Sequence, residues 1–401
     1  MSRKVYITGA GIISAAGFNT GENLASLKSS SGGIGKVSYI DTIHSDDIPV
    51  AEVKASDNGL REMAGISKEK HYSRTSLLGL IAAREAIESA GIYETGDYPT
   101  GLISASTVGG MDQTEIFYKK FMHDNTRGRL RYVINHDVGD HTEKIAETYG
   151  IRDYVSTIST ACSSSANSIL MAARMISSGL LERVIAGGAD ALTLFTINGF
   201  NSLMILDKRG CRPFDNDRNG LTLGEGAAYL VLESEDIVSG TGKKILGEIT
   251  GYGNACDAYH QTASSPNGEG AVMSMNMALK KAGIGPENID YINAHGTGTK
   301  NNDLSEGRAV ERVFGKEVPP ISSTKSLTGH TLGAAGAVEA VFSLLAIENN
   351  SIWPNRPLSA KMTELDFEPV SRIMTDVILK NVLSNSFGFG GNNTSLIFSK
   401  C

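Results

Sequence analysis

Val155-Ser156-Thr157-Ile158-Ser159-Thr160-Ala161-Cys162-Ser163-Ser164-Ser165 is a short β-branched run that stops at a cysteine and gives way at once to helix-forming sequence. The next apolar residues, Ile169, Ala172, Ala173 and Ile176, recur at the i, i+3, i+4, i+7 spacing of an amphipathic helix, and the serines before them suit its first turn. Cys162 is therefore expected at a strand-to-helix junction. There the positive end of the helix dipole and the free N–H groups favour a thiolate, the setting of a nucleophilic cysteine. A lone cysteine is ordinarily a small buried hydrophobe, however, so this junction needs support from the rest of the chain.

Working outward, residues 5–13 read as a first strand, 74–90 as a mostly buried helix and 98–106 as a core strand ending in Thr107-Val108-Gly109-Gly110. Residues 183–189 and 226–233 read as further buried strands, and alternating short strands and helices indicate an α/β fold. The second half then repeats the first. Ser159-Thr160-Ala161-Cys162 is echoed by Ser323-Thr324-Lys325-Ser326, which opens an alanine- and glycine-rich helix over 333–347. Gly101-Leu102-Ile103-Ser104-Ala105-Ser106-Thr107 is echoed by Asp290-Tyr291-Ile292-Asn293-Ala294-His295-Gly296, and the strand over 227–233 by 394–399. Three echoes in the same order imply a duplication joined between Glu233 and Ile249. The expected halves are 1–240, carrying the cysteine, and 241–401, with a site at their boundary.

The totals exclude several classes. The 401 residues are 41% hydrophobic and 20% charged, enough for substantial cores. A net charge of −7 argues against a nucleic-acid binder. Cys162, Cys211, Cys256 and Cys401 form no C-x-x-C pair, so neither a disulfide framework nor a zinc site is indicated, and a cytoplasmic setting fits. Arg3 and Lys4 precede an apolar run too short and too broken for a signal peptide, and no uninterrupted apolar stretch approaches the roughly 20 residues of a membrane span. Gly9-Ala10-Gly11 lacks the third glycine of a dinucleotide-binding turn, because Ser14 stands there.

The polar motifs of the second half lie where the echo points. His295, in Ala294-His295-Gly296-Thr297-Gly298-Thr299, follows a buried strand in a loop too glycine-rich for core packing. Lys325 and His330, in Lys325-Ser326-Leu327-Thr328-Gly329-His330, sit at the repeat-equivalent of the cysteine motif. Glu339 interrupts an apolar helix, where an unpaired carboxylate would be costly, and Lys325 is its nearest candidate partner. Asp303 and Glu306 share a helix face, as either a solvated pair or a support for the histidines. Asn385-Ser386-Phe387-Gly388-Phe389-Gly390-Gly391-Asn392-Asn393 is a glycine-rich turn that offers backbone N–H donors and two aromatic rings.

On Thr160-Ala161-Cys162-Ser163-Ser164, on the two histidine motifs in order, and on Ala334-Ala335-Gly336, the chain resembles the β-ketoacyl-acyl-carrier-protein synthases, the Cys-His-His condensing enzymes, nearly end to end. The resemblance implies the thiolase-like fold: two duplicated halves in a five-layer αβαβα arrangement, usually dimeric. It implies that Cys162 takes an acyl chain from a phosphopantetheine thioester, with N–H groups of Cys162 and Phe389 holding the oxyanion. By the same resemblance His295 and His330 bind the malonyl thioester carbonyl during decarboxylation, Lys325 held by Glu339 organises the site, and Asp303 and Glu306 surround it. Phe389 becomes the gate. Thr107, Val108, Phe200, Thr297, Thr299 and Phe387 become substrate-pocket residues. No metal or organic cofactor is implied, since the phosphopantetheine arrives on an acyl carrier protein.

Three departures bear on substrate. Thr107-Val108 stands where family members line the acyl pocket, Met204 where many carry a basic residue for the carrier protein, and Asn392-Asn393-Thr394 differs from the commonest housekeeping form. Lys68, Lys70, Arg74, Lys208 and Arg209 are alternative sources of a basic patch. These leave fatty-acid elongation and a specialised polyketide or polyene pathway, with a possible cysteine-less partner subunit, both open. A thiolase would show a second catalytic cysteine, and a non-catalytic subunit would not retain Cys162 with both histidines.

Overall fold

Glycine placement shows how the molecule is layered. In the computed structural model, which describes residues 3–355 and 358–401, strand β1 (Val5–Ser14) lies against helix α1 (Arg74–Ser89). A Cβ at Gly9 or Gly11 would collide with the carbonyl oxygens of Ala86 and Ala82 in that helix. The Gly9-Ala10-Gly11 run is thus a helix-packing surface rather than a phosphate turn.

The remaining strands of the sheet are β2 (Thr100–Ala105), β3 (Tyr154–Ile158), β4 (Arg183–Asp190), β5 (Gly226–Ser234), β6 (Gly247–Cys256), β7 (Tyr291–Asn293), β8 (Ile321–Ser322), β9 (Asn381–Phe387) and β10 (Asn392–Ser399). Their order is β8-β7-β9-β10-β6-β1-β5-β4-β2-β3. Outward from the middle, β1-β5-β4-β2-β3 and β6-β10-β9-β7-β8 are the same path, and the first two pairings of each are antiparallel and the last two parallel. Among the described residues the two paths pair only at Tyr6 with Glu248 and Ile7 with Gly247. The duplication extends to glycine: Gly251 and Gly253 of β6 abut Ala278 and Ser274 of α3 (Glu269–Ala282) as Gly9 and Gly11 abut α1.

Between the halves lie α2 (Ser164–Ser177) and α6 (Ala335–Asn349), each touching strands of both. With α1 outside one half and α3 outside the other, five α/β layers result, as the resemblance implies. The two central helices approach closely because their facing residues are small. A Cβ at Gly336 would stand 2.7 Å from Ala166 Cβ, and Ala337 N–H donates to Ser165 Oγ at 2.9 Å. Val341, Phe342 and Leu345 of α6 are fully buried or nearly so, and each contributes about 1.5–3 kcal/mol of apolar burial. Leu332–Asn349 is also apolar and long enough, by those criteria alone, to cross a membrane, but 89% of it is buried inside the protein. Strand β5, covered on both faces, is buried throughout and apolar until Glu233 and Ser234 at its end, whereas burial alternates along β6.

Candidate active site

Two of the motifs follow equivalent strands in the two halves, and a third follows the strand beside one of them. Cys162 follows β3, Lys325 follows β8 as the first residue of the short helix α5 (Lys325–Thr328), and His295 follows β7. The chain leaves β3 through Ala161, whose φ of 52° puts a side-chain-bearing residue in the left-handed region, a strained conformation. Ser164 pins this turn: its Oγ accepts from Thr160 N–H at 2.8 Å and donates to Ala161 O. Cys162 is thereby held just ahead of α2, where its own N–H and that of Phe389 favour the charged form of its sulfur.

Cys162 Sγ and one ring nitrogen each of His295 and His330 lie within 4.8 Å of one another, all buried. The imidazole rings stand edge to face, centroids 5.3 Å apart. Leu332 N–H donates to His330 Nδ1 at 3.1 Å, which leaves the ring hydrogen on Nε2. Lys325 Nζ lies 3.3 Å from His295 Nδ1 and donates to His295 O at 2.6 Å. An ammonium has no lone pair, so His295 too carries its hydrogen on Nε2. Burial first, and then Lys325, hold both histidines well below the usual imidazole range. The site therefore presents two neutral N–H donors beside a sulfur, and neither Nε2 has a lone pair to offer a cation. Lys325 also pairs with Glu339. Burial pushes Glu339 up to about 7 against the pull of that lysine.

The sulfur departs from expectation. Burial pushes the Cys162 thiol up to about 11, and the two N–H groups and Lys325 offset this only in part. The helix terminus favours the thiolate as anticipated, but desolvation outweighs it, so the resting group is the thiol.

Asp303 and Glu306, on α4 (Lys300–Phe314), resolve in favour of support: both are buried. Glu306 accepts from the N–H groups of His295 and Gly296 at 2.8 and 2.7 Å, and Asp303 from those of Thr297, Gly298 and Phe214 at 3.0, 3.1 and 2.7 Å. The pair holds the histidine loop by its backbone. Burial raises both carboxyls, Glu306 to about 7.

A cavity of about 390 Å³ opens onto Cys162, His295 and His330. Its walls include Phe200, Thr297, Thr299, Phe387 and Phe389 from the sequence analysis, joined by Met204, Ile205 and Leu221. The Phe200 and Phe389 rings are stacked, centroids 6.1 Å apart, and the Thr297 and Thr299 hydroxyls meet at 2.9 Å.

With this geometry in place, residues 2–236 match the N-terminal domain of beta-ketoacyl synthases and residues 246–359 their C-terminal domain. The chain belongs to the β-ketoacyl synthase family. Among its relatives is 3-oxoacyl-[acyl-carrier-protein] synthase 2 of Staphylococcus aureus (strain COL), 34% identical over 410 residues that cover 100% of this chain and 99% of the relative. Among solved structures, the ishigamide ketosynthase/chain length factor superimposes with a TM-score of 0.93 at 31% identity, covering both chains fully. The ketosynthase ApeO of Xenorhabdus doucetiae, in complex with its chain length factor ApeC, gives 0.86 at 32% identity, covering 100% of this chain and 98% of that one.

Within this β-ketoacyl synthase, Thr107 and Val108 lie outside the cavity walls. Val108 is buried in an apolar cluster with Leu192 and Ile197, and Thr107 is bound to Asp190. Asp190 is the residue that sequence reasoning missed. Fully buried, it accepts from Ser106 Oγ, from Thr107 N–H and Oγ, and from the N–H groups of Val108 and Gly333, tying the Thr107 turn to the His330 loop. An aspartate ending a glycine-containing buried strand was the available signal. Arg74 leaves the basic patch: it is buried and paired with Glu225 at 2.6 Å and Asp57 at 2.9 Å. Met204 is 88% exposed at the cavity mouth.

Proposed function

We propose that this β-ketoacyl synthase joins an acyl group held on Cys162 to a two-carbon unit from a malonyl thioester on an acyl carrier protein. The convergence of one sulfur, two neutral imidazole N–H donors and two backbone N–H groups supports this reading. Cys162 attacks the acyl thioester carbonyl, whose oxygen is held by the N–H groups of Cys162 and Phe389, and its proton leaves with the departing pantetheine thiol. The exchange is thiol for thiol and consumes no net proton, so the raised thiol pKa slows attack by keeping the thiolate fraction small but leaves the step balanced. The malonyl thioester carbonyl then accepts from Nε2–H of His295 and His330, and loss of carbon dioxide leaves an enolate between two donors. Its carbon attacks the acyl-Cys162 carbonyl, the thiolate departs, and a solvent proton restores the thiol. Lys325, neutralised by Glu339, keeps His295 in the donating tautomer. Neither a metal nor an organic cofactor takes part, and Phe389 stacked on Phe200 separates this cavity from an acyl pocket on the Thr107–Val108 side.

The reading extends to a cytoplasmic enzyme that works as two related chains, whose halves are 1–240 and 241–401. Edge strand β3, with Val155 40% exposed, and a neighbouring groove bordered by Met171, Met175 and Leu180 support a subunit contact. Fatty-acid elongation by a homodimer is the main reading. Full-length likeness to two ketosynthases described with chain length factors favours, as the second, a specialised polyketide pathway with an unlike partner. Intact-protein mass after incubation with acyl-carrier-protein thioesters of graded length and unsaturation tests both. Saturated chains should acylate best in elongation and unsaturated chains in the specialised route, whereas absence of any adduct from this chain, alone or with a co-purified partner, would sink the proposal.

A further inference from the structure

Asn392, at the point where the gate turn enters β10, holds no place in the chemistry above, yet it touches both of the backbone segments that supply the oxyanion donors. Its main-chain carbonyl accepts from Gly388 N–H at 2.8 Å, closing the turn that carries Phe389. Its side-chain Oδ1 accepts from Asn167 Nδ2 and Asn254 Nδ2, both at 2.9 Å. Ser163 Oγ, on the residue next to Cys162, lies 2.8 Å from that same Oδ1 and 2.8 Å from Thr160 O, so its one hydrogen is shared between them. Asn167 also donates to Thr160 Oγ1 at 2.9 Å, and its own Oδ1 accepts from Asn254 and from Thr394 Oγ1 at 3.0 and 2.8 Å. One amide oxygen thus gathers donors from α2 and β6, while the carbonyl of the same residue closes the gate turn.

We infer that Asn392 is a positioning residue: through Oδ1 and its main-chain carbonyl it fixes the Phe389 N–H relative to the Cys162 N–H, so that both meet one carbonyl oxygen. The two donors come from opposite halves of the molecule, and their relative position is not set by any single element. Ser163 and Asn167 complete the strap on the nucleophile's side. An oxyanion site depends on donor placement to a few tenths of an ångström, and a misplacement of about 1 Å costs on the order of a hundredfold. The inference rests on the oxyanion role proposed for these two N–H groups.

The test separates acylation, which needs an oxyanion site, from alkylation of the same sulfur, which does not. Octanoyl-pantetheine and iodoacetamide are the probes, with modification at Cys162 followed by peptide mass. Asn392→Leu, close in volume and without an acceptor, should acylate about tenfold to a hundredfold more slowly while alkylating within about twofold of the unaltered protein. Asn392→Asp, which keeps an acceptor oxygen, should restore most of the acylation rate. Equal acylation by Asn392→Leu and the unaltered protein would overturn the inference and leave the proposed function standing. A parallel fall in acylation and alkylation would also overturn it, since that marks general disturbance of the junction, as would failure of Asn392→Asp to restore the rate. If the unaltered protein alkylates at Cys162 but takes an acyl group neither from octanoyl-pantetheine nor from any of the graded acyl-carrier-protein thioesters, alone or with a co-purified partner, the function itself fails, and the inference with it.

Discussion

The two halves carry the same junction with opposite contents. In the first, a strand turns into a helix at Cys162, and in the second the equivalent turn holds Lys325. Both side chains are buried, the sulfur beside His295 and His330 and the ammonium against His295. The first junction supplies a sulfur whose burial keeps it protonated; the second supplies a cation that burial would make costly without Glu339. One architectural unit used twice thus yields a reacting group and the charge that orients the groups around it. Position in the fold sets the geometry, and the residue at the turn sets the chemistry.

The largest effect that would break this comparison is complete loss. Cys162→Ala should abolish the acyl adduct seen by intact mass, and an adduct that persists would assign the nucleophile elsewhere. At the other junction, Lys325→Met leaves Glu339 buried without its cation and should lower unfolding free energy by about 3–5 kcal/mol in denaturant titrations. The double variant Lys325→Met/Glu339→Leu should regain most of this, because the desolvated charges go together; if it does not, the lysine's packing rather than its charge is what matters.

Smaller in energy, His295→Ala and His330→Ala should each slow malonyl decarboxylation by about 10²–10³-fold, measured as released carbon dioxide. Acylation of Cys162 should fall much less, and equal loss in both steps would merge roles that the geometry separates. The finest test is the pH dependence of the sulfur. With a folded pKa of about 11 against the lower value of a free thiol, the thiolate fraction is small at neutral pH and rises as pH rises. Iodoacetamide alkylation of Cys162 should therefore climb about tenfold per unit between roughly pH 7 and 10. A plateau by pH 8 would mean that the helix terminus outweighs burial after all.

Much of this was legible beforehand because it is local. Strand-to-helix switches, the histidines beyond buried strands, and the repeat that aligns Lys325 with Cys162 all lie within short windows of sequence. What was not legible depends on distance in the chain. Asp190 reads as an ordinary strand end until Gly333 folds back to it, and Arg74 reads as surface charge until Glu225 arrives from 151 residues away. The sulfur's protonation is hidden for the same reason: the dipole is visible in the helix that follows, whereas desolvation comes from burial that exists only in the folded chain. The family motifs, by contrast, marked the residues that meet in the cavity even where local physics could not.

The apolar helix between the halves also has a consequence for how the chain is made. Leu332–Asn349 would be a hazard if it emerged into the cell with nowhere to go, since its length and composition resemble those of a segment bound for a lipid bilayer. It leaves the ribosome last among the large helices, after the strands and the Ser164–Ser177 helix of the first half have been synthesised. N-terminal regions generally fold first during synthesis, and the partner surface, with Ser165 and Ala166 waiting for Ala337 and Gly336, belongs to that earlier part. Chain order thus places the receptor surface ahead of its guest.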